Sequence, residues 1–118
     1  MINLKVVDKA LRRSWTKEMP VQYKDSLISV LIHDIFGGEI LKTRNKKGWH
    51  FYNRIDGRRI DFTGTEKNNH FKKNSFEDIP ATPDETYNQM DQEDYSSLLI
   101  RFVRVFEEAV GLERYQTA

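Results

Sequence analysis

The apolar positions of this chain change period along its length, and the changes divide it into elements. Leu4, Val7, Leu11 and Trp15 fall at helical spacing, with Lys5, Asp8, Lys9, Arg12 and Arg13 on the other faces. Asn3 stands where an N-cap belongs, so a helix is expected from about Leu4 to Trp15. In YKDSLISVLIHDIFGG, apolar side chains cover nearly the whole helical circumference from Leu27 to Phe36, which marks a buried helix. Asp25 or Ser26 is expected to cap its start, and Gly37-Gly38 to end it through positive φ. Beyond it the pattern turns extended. EILKT suggests a strand and NKKG a turn, and WHFYNRI and RRIDFT are two strands around Asp56-Gly57.

From Gly64 to Pro80 the chain is polar and without clear period, the character of a flap beside a site, with Phe71, Phe76 and Ile79 as anchors. Thr82-Pro83-Asp84-Glu85 matches a capping box with proline at the first helical position. Tyr95, Leu98, Leu99, Phe102, Val103, Phe106, Ala109 and Val110 then keep helical spacing, with Gly111 the expected stop. Helices and hairpin-connected strands in separate blocks predict an α+β fold, an antiparallel sheet packed on the central helix with the N- and C-terminal helices flanking it.

A chain of 118 residues suits a single domain, 1–118. Its fourteen aromatics (seven Phe, five Tyr, two Trp) argue against global disorder. The net charge of +1 names no partner, but the distribution is uneven. Lys42 to Lys73 holds ten Lys/Arg against three Asp/Glu, whereas Asn74 to Ala118 holds three against ten. Mutual attraction of the two segments within the fold is the leading expectation. With no cysteine there is no disulfide, thiolate metal site or thiol nucleophile. No signal peptide or membrane-length apolar run is visible, so a cytoplasmic protein is expected.

The candidate chemistry lies in the hairpin. A two-residue loop at Asp56-Gly57 pairs Ile55 with Arg58, Tyr52 with Asp61 and His50 with Thr63. His50, Tyr52, Asp61 and Thr63 then share one face, and His50 and Asp61 are diagonal neighbours. A three-residue loop would reverse that facing. A carboxylate beside an imidazole fixes its tautomer, as a general base requires. The plainer reading is a polar cross-strand pair on a solvated face, and spacing by itself favours it.

These residues also carry a resemblance. GGEILKT, HFYNRIDGRRIDFT and the preceding helix resemble the YunG-like family of uncharacterised bacterial proteins, over about Tyr23 to Thr63. Through it they resemble papain-like and transglutaminase-like folds, in which a helix carries Cys and two following strands carry His and Asp. The resemblance implies His50 as base and Asp61 as its orienting acid. The family's helix typically begins Gly-Gln-Cys, and counting back from Gly37-Gly38 puts that Cys position on Asp25, with Ser26 next to it. Without the cysteine, the resemblance implies a catalytically degenerate protein, a pseudoenzyme that acts through binding to a peptide or protein partner. One alternative is a hydrolase or acyltransferase using Ser26, His50 and Asp61. Asp25, Trp49, Tyr52 and Asn53 are the candidate cleft residues.

No cofactor is implied. A metal site from His33, His50, His70, Asp34 and Asp61 lacks any recognised ligand spacing, and His33 within the buried helix suits a satisfied core or boundary histidine. A further alternative is a nucleic-acid-binding module, since Lys42, Arg44, Lys46, Lys47, Arg54, Arg58 and Arg59 interleave with Trp49, Phe51 and Tyr52. Yet Trp49, Phe51, Asn53 and Ile55 alternate as the face a sheet needs against a buried helix, which makes the aromatics core first.

Overall fold

The structure, a computed structural model, describes residues 3–19, 22–46, 48–63 and 76–117, with 112–117 described by backbone alone. Its elements run α1 (Leu4–Ser14), α2 (Lys24–Phe36), β1 (Glu39–Asn45), β2 (Gly48–Ile55), β3 (Arg58–Ile60), β4 (Ile79–Ala81), α3 (Pro83–Tyr87) and α4 (Gln92–Thr117). The fold is α+β, with one four-stranded antiparallel sheet in the order β3-β2-β1-β4. No described helix is long and apolar enough to cross a membrane. The chain divides into two compact units, Met1–Met19 with Gln92–Ala118, and Pro20–Asp91.

In the first unit α1 packs on α4. Asn3 caps α1 as its position suggests, its side chain accepting from the backbone N–H groups of Lys5 and Val6. Val7, Ala10, Leu11 and Ser14 form the buried stripe of α1, at the spacing that puts side chains on one helical face. Tyr95, Leu98 and Phe102 are the buried counterparts on α4, and Phe102 stacks on Phe106 with ring centroids 5.5 Å apart. Arg101 donates from Nε to the Ser14 carbonyl at 2.8 Å, satisfying an acceptor that the end of α1 leaves without an intrahelical partner. Gly111 does not end α4, which continues to Thr117. Glycine costs a helix only about 1 kcal/mol relative to alanine, and its neighbours Leu112, Glu113 and Arg114 are good helix formers.

The second unit is built on α2. Every residue from Ser26 to Ile32 is buried, so this helix has no solvated face over nearly two turns. It packs on β1, β2 and α3. Phe51, Asn53 and Ile55, the alternating set on β2, are buried, and Asn53 donates from Nδ2 to the Ser29 carbonyl of α2 at 2.9 Å. The expected capping of α2 by Asp25 or Ser26 does not occur. The N-cap is Tyr23, which makes no side-chain capping bond to the helix, and the Asp25 carboxylate is drawn away to β2.

The hairpin has the predicted register, with Ile55 opposite Arg58 and Asn53 opposite Ile60. Asp56 and Gly57 both hold positive φ, 52° and 78°, as a two-residue turn between twisted strands requires. β3 is shorter than the RRIDFT pattern suggests, stopping at Ile60 before Asp61. The fourth strand, Ile79–Ala81, carries no sequence alternation of its own and contains Pro80. It pairs with β1 at the sheet edge, a position that tolerates proline. Residues 64–75 of the expected flap, including the His70 and Phe71 positions, lie outside the described residues. The capping box at Thr82 is complete, with Thr82 and Glu85 each bonding the other's backbone.

Gly38 closes the passage from α2 into β1. Its φ is +81°, and a Cβ there would stand 2.6 Å from the Arg54 carbonyl oxygen. Gly57 has a similar φ of +78° but open space around it. Gly38→Ala is therefore expected to destabilise the protein by about 3 kcal/mol, and Gly57→Ala by only about 1–2 kcal/mol, the backbone part alone. Urea unfolding of the two variants checks the difference, and equal losses would contradict it.

Candidate functional site

His50 lies on β2, one residue before Phe51, on the sheet face that carries Tyr52 and Thr43. Its two ring nitrogens face two carboxylates from different parts of the chain. Nε2 is 2.6 Å from Asp61 Oδ2, and Nδ1 is 3.5 Å from Asp25 Oδ2. All three side chains are largely buried, with His50 13% exposed.

Each carboxylate is held by its own local structure. Asp61 follows directly on β3, and its Oδ1 accepts both the backbone N–H of Thr63 at 3.0 Å and the Thr63 hydroxyl at 2.5 Å. This compact turn leaves Oδ2 for His50. Asp25 sits in the first turn of α2, and its Oδ2 accepts the Phe51 N–H at 2.8 Å. In the hairpin register Phe51 would oppose Phe62, but the pairing of β2 with β3 ends at Asn53 and Ile60. Asp25 thus takes the amide of Phe51 where the ladder has run out, and the same oxygen turns toward His50.

The electrostatics follow from that enclosure. Burial disfavours a charged ring, but hydrogen bonds and charge from Asp25 and Asp61 outweigh it and raise the His50 pKa to about 9. Burial would push Asp61 up, and the His50 and Thr63 hydrogen bonds bring it below its ordinary value instead. The resting state at neutral pH is an imidazolium between carboxylates. Such a ring carries a proton on each nitrogen and has no lone pair with which to accept another.

The other expected site residues fall in several places. Tyr52 stacks near the His50 ring, centroids 6.0 Å apart, and its hydroxyl is engaged with Asp78. Asn53 points to α2 and serves the core. Trp49 lies on the opposite sheet face, with the Lys42 ammonium and Arg44 guanidinium 4.6 and 4.9 Å from its ring centroid. Ser26 is 1% exposed, and its Oγ has no hydrogen-bond partner among the described residues. Its hydroxyl is therefore not bonded to His50. His33 donates from Nδ1 to the Gly38 carbonyl at 3.0 Å, bracing the turn after α2. Among the described residues no three acidic or histidine side chains form a group that could hold a metal.

The role of Asp25 as a direct neighbour of His50 was not legible from residue types, since an acidic residue at a helix start ordinarily caps it. Asp78 and Glu77 were not singled out either, because the polar run around them has no period. The basic middle segment is met by carboxylates within this unit, Lys42 by Glu85, Arg54 by Glu39 and Arg59 by Asp78. Two of those three acids come from the acidic part of the chain, so the charge asymmetry is partly consumed inside the fold.

Because the folded His50 pKa of about 9 lies above the ordinary 6.5, its stabilisation is complete below about pH 6.5 and is lost as pH rises through about 9. Unfolding free energy should fall by on the order of 2–3 kcal/mol across that window. His50→Gln should be less stable at neutral pH and should flatten this part of the profile. Urea midpoints between pH 6.5 and 9.5 measure both, and an unchanged slope in the variant would contradict the assignment.

The YunG protein family matches residues 4–107 of this chain. The uncharacterized protein YunG of Bacillus subtilis (strain 168) is 34% identical over 90 residues, covering 76% of each chain. No solved structure matches the chain at a significant level. A match over most of the length, together with that relative, leads to one assignment: the chain belongs to the YunG family.

Proposed function

We propose that this protein is a catalytically degenerate YunG-family member that acts through binding of a peptide or protein segment, on a scaffold of papain-like or transglutaminase-like type. The observation that carries the reading is the pairing of both His50 nitrogens with carboxylates, Asp25 at one and Asp61 at the other. In a thiol enzyme a cysteine at a helix start faces the imidazole, and a carboxylate or amide orients the ring from behind. Here Asp25, at a helix start, takes the cysteine's part.

The exchange removes nucleophilic catalysis for a chemical reason. Thiolate attack on an amide or ester gives a thioester of manageable energy. Carboxylate attack would give a mixed anhydride, more reactive than the substrate it came from, so the step runs uphill. Ser26 does not supply a substitute, being buried and unbonded to His50, whose ring is protonated at neutral pH. A nucleic-acid role is weakened by the carboxylate partners of Lys42, Arg54 and Arg59, which leave fewer cations for phosphate.

Purified protein is expected to give no turnover in peptidase, amidase or esterase assays, and His50→Ala and Ser26→Ala should leave that baseline unchanged. Asp25→Cys is the constructive counterpart. Its thiol should react with iodoacetamide with an apparent pKa well below the ordinary value of about 8.5, and a second change, His50→Ala, should restore ordinary behaviour. Hydrolysis by the unaltered protein that disappears with His50 would overturn the non-catalytic reading. An unperturbed thiol in Asp25→Cys would overturn the triad-remnant reading.

A further inference from the structure

Phe76, Glu77 and Asp78, the three residues before β4, are fastened one after another onto the sheet face that carries His50. The Phe76 ring meets Tyr52 edge-on with centroids 4.9 Å apart, and the Arg59 guanidinium lies 4.6 Å from the Phe76 centroid. Glu77 donates its N–H to Thr43 Oγ1 at 3.0 Å and accepts the Arg44 N–H on its carboxylate at 2.9 Å. Asp78 donates its N–H to the Tyr52 hydroxyl at 2.8 Å, and that hydroxyl donates back to Asp78 Oδ1 at 2.8 Å. Arg59 completes the cluster, with Nε 2.8 Å from Oδ1 and Nη2 2.5 Å from Oδ2 of Asp78.

This strap lies on His50's own surroundings. Thr43 is the cross-strand partner of His50, and Tyr52 stacks near its ring. Both are fully buried. Asp78 also holds a φ of +55°, in the left-handed region that aspartate enters more readily than most residues, which turns the chain into β4.

Apart from the Phe76 ring, what secures the strap is polar. Glu77 is exposed, and Phe76 and Asp78 are half-buried. Hydrogen bonds of this kind contribute about 1 kcal/mol each, and a segment that buries little apolar surface opens far below the cost of global unfolding. A short segment held largely by polar bonds over the buried neighbours of His50 is a closure that can open without unfolding the sheet. We infer that the Tyr52–Asp78–Arg59 cluster is a latch that keeps residues 76–78 closed over the sheet and so governs access to His50. This device holds whether or not the site turns over any substrate.

The test uses the full chain and two variants. Tyr52→Phe removes one hydroxyl and keeps the ring, and Arg59→Gln alters an exposed position, so it remains informative if the first variant fails to fold. Amide hydrogen exchange is followed at Glu77 and Asp78. Modification of His50 by diethyl pyrocarbonate is followed by peptide mass spectrometry, compared at equal fractions of neutral imidazole from an NMR titration of each protein. Loss of the latch is expected to speed both by about fivefold to thirtyfold, the equivalent of one or two hydrogen bonds, with amides of the β1–β2 ladder unchanged. Unchanged exchange at Glu77 and Asp78 would overturn the latch. Faster exchange without faster His50 modification would overturn its control of access.

Discussion

Three parts of the Pro20–Asp91 unit converge on the imidazolium of His50. The first turn of α2 contributes Asp25, β2 contributes the ring itself, and the turn after β3 contributes Asp61. The His50 ring offsets the burial of Asp61, and both carboxylates offset the burial of the charged ring. The Phe51 amide is secured by the same Asp25 oxygen, so the arrangement also finishes the edge of β2 where β3 stops. Removing any one member leaves a buried charge or an unmet donor behind, which makes the group a structural tie as much as a chemical site.

That tie has a consequence for chemistry. A histidine able to work as a base keeps one nitrogen unprotonated near neutral pH. Two carboxylates on one ring work against that, because each favours the proton on its own side and together they raise the His50 pKa to about 9. A thiolate in the place of Asp25 would make the same ion pair and add a potent nucleophile. On the proposed reading, the difference between a working cysteine centre and this site lies in the side chain at position 25.

Local signals accounted for much of the fold. The Asn3 cap, the all-round apolar α2, the Asp56-Gly57 turn and the Thr82 capping box each depend on residues close in sequence, and each appears in the structure. The signals that failed were those a distant partner could overrule. Asp25 was expected as a cap and instead reaches β2, and Gly111 was expected as a stop inside a helix long enough to absorb it. β4 had no local signature because a three-residue edge strand containing proline is defined only by its neighbour β1.

For the candidate site, the sequence by itself signalled the hairpin and, for a two-residue loop, a register that brings His50 and Asp61 together; the structure has that register, with Asp61 just beyond the end of β3. Only the tertiary structure decided what meets the second nitrogen of His50. The approach of α2 to β2 depends on buried contacts such as that of Asn53 with the Ser29 carbonyl, and that packing is a property of the assembled unit. The strap of Phe76, Glu77 and Asp78 belongs to the same class. Its polar residues have no period to read, and their meaning comes from the hydroxyl of Tyr52 and the guanidinium of Arg59, which the sheet brings within reach.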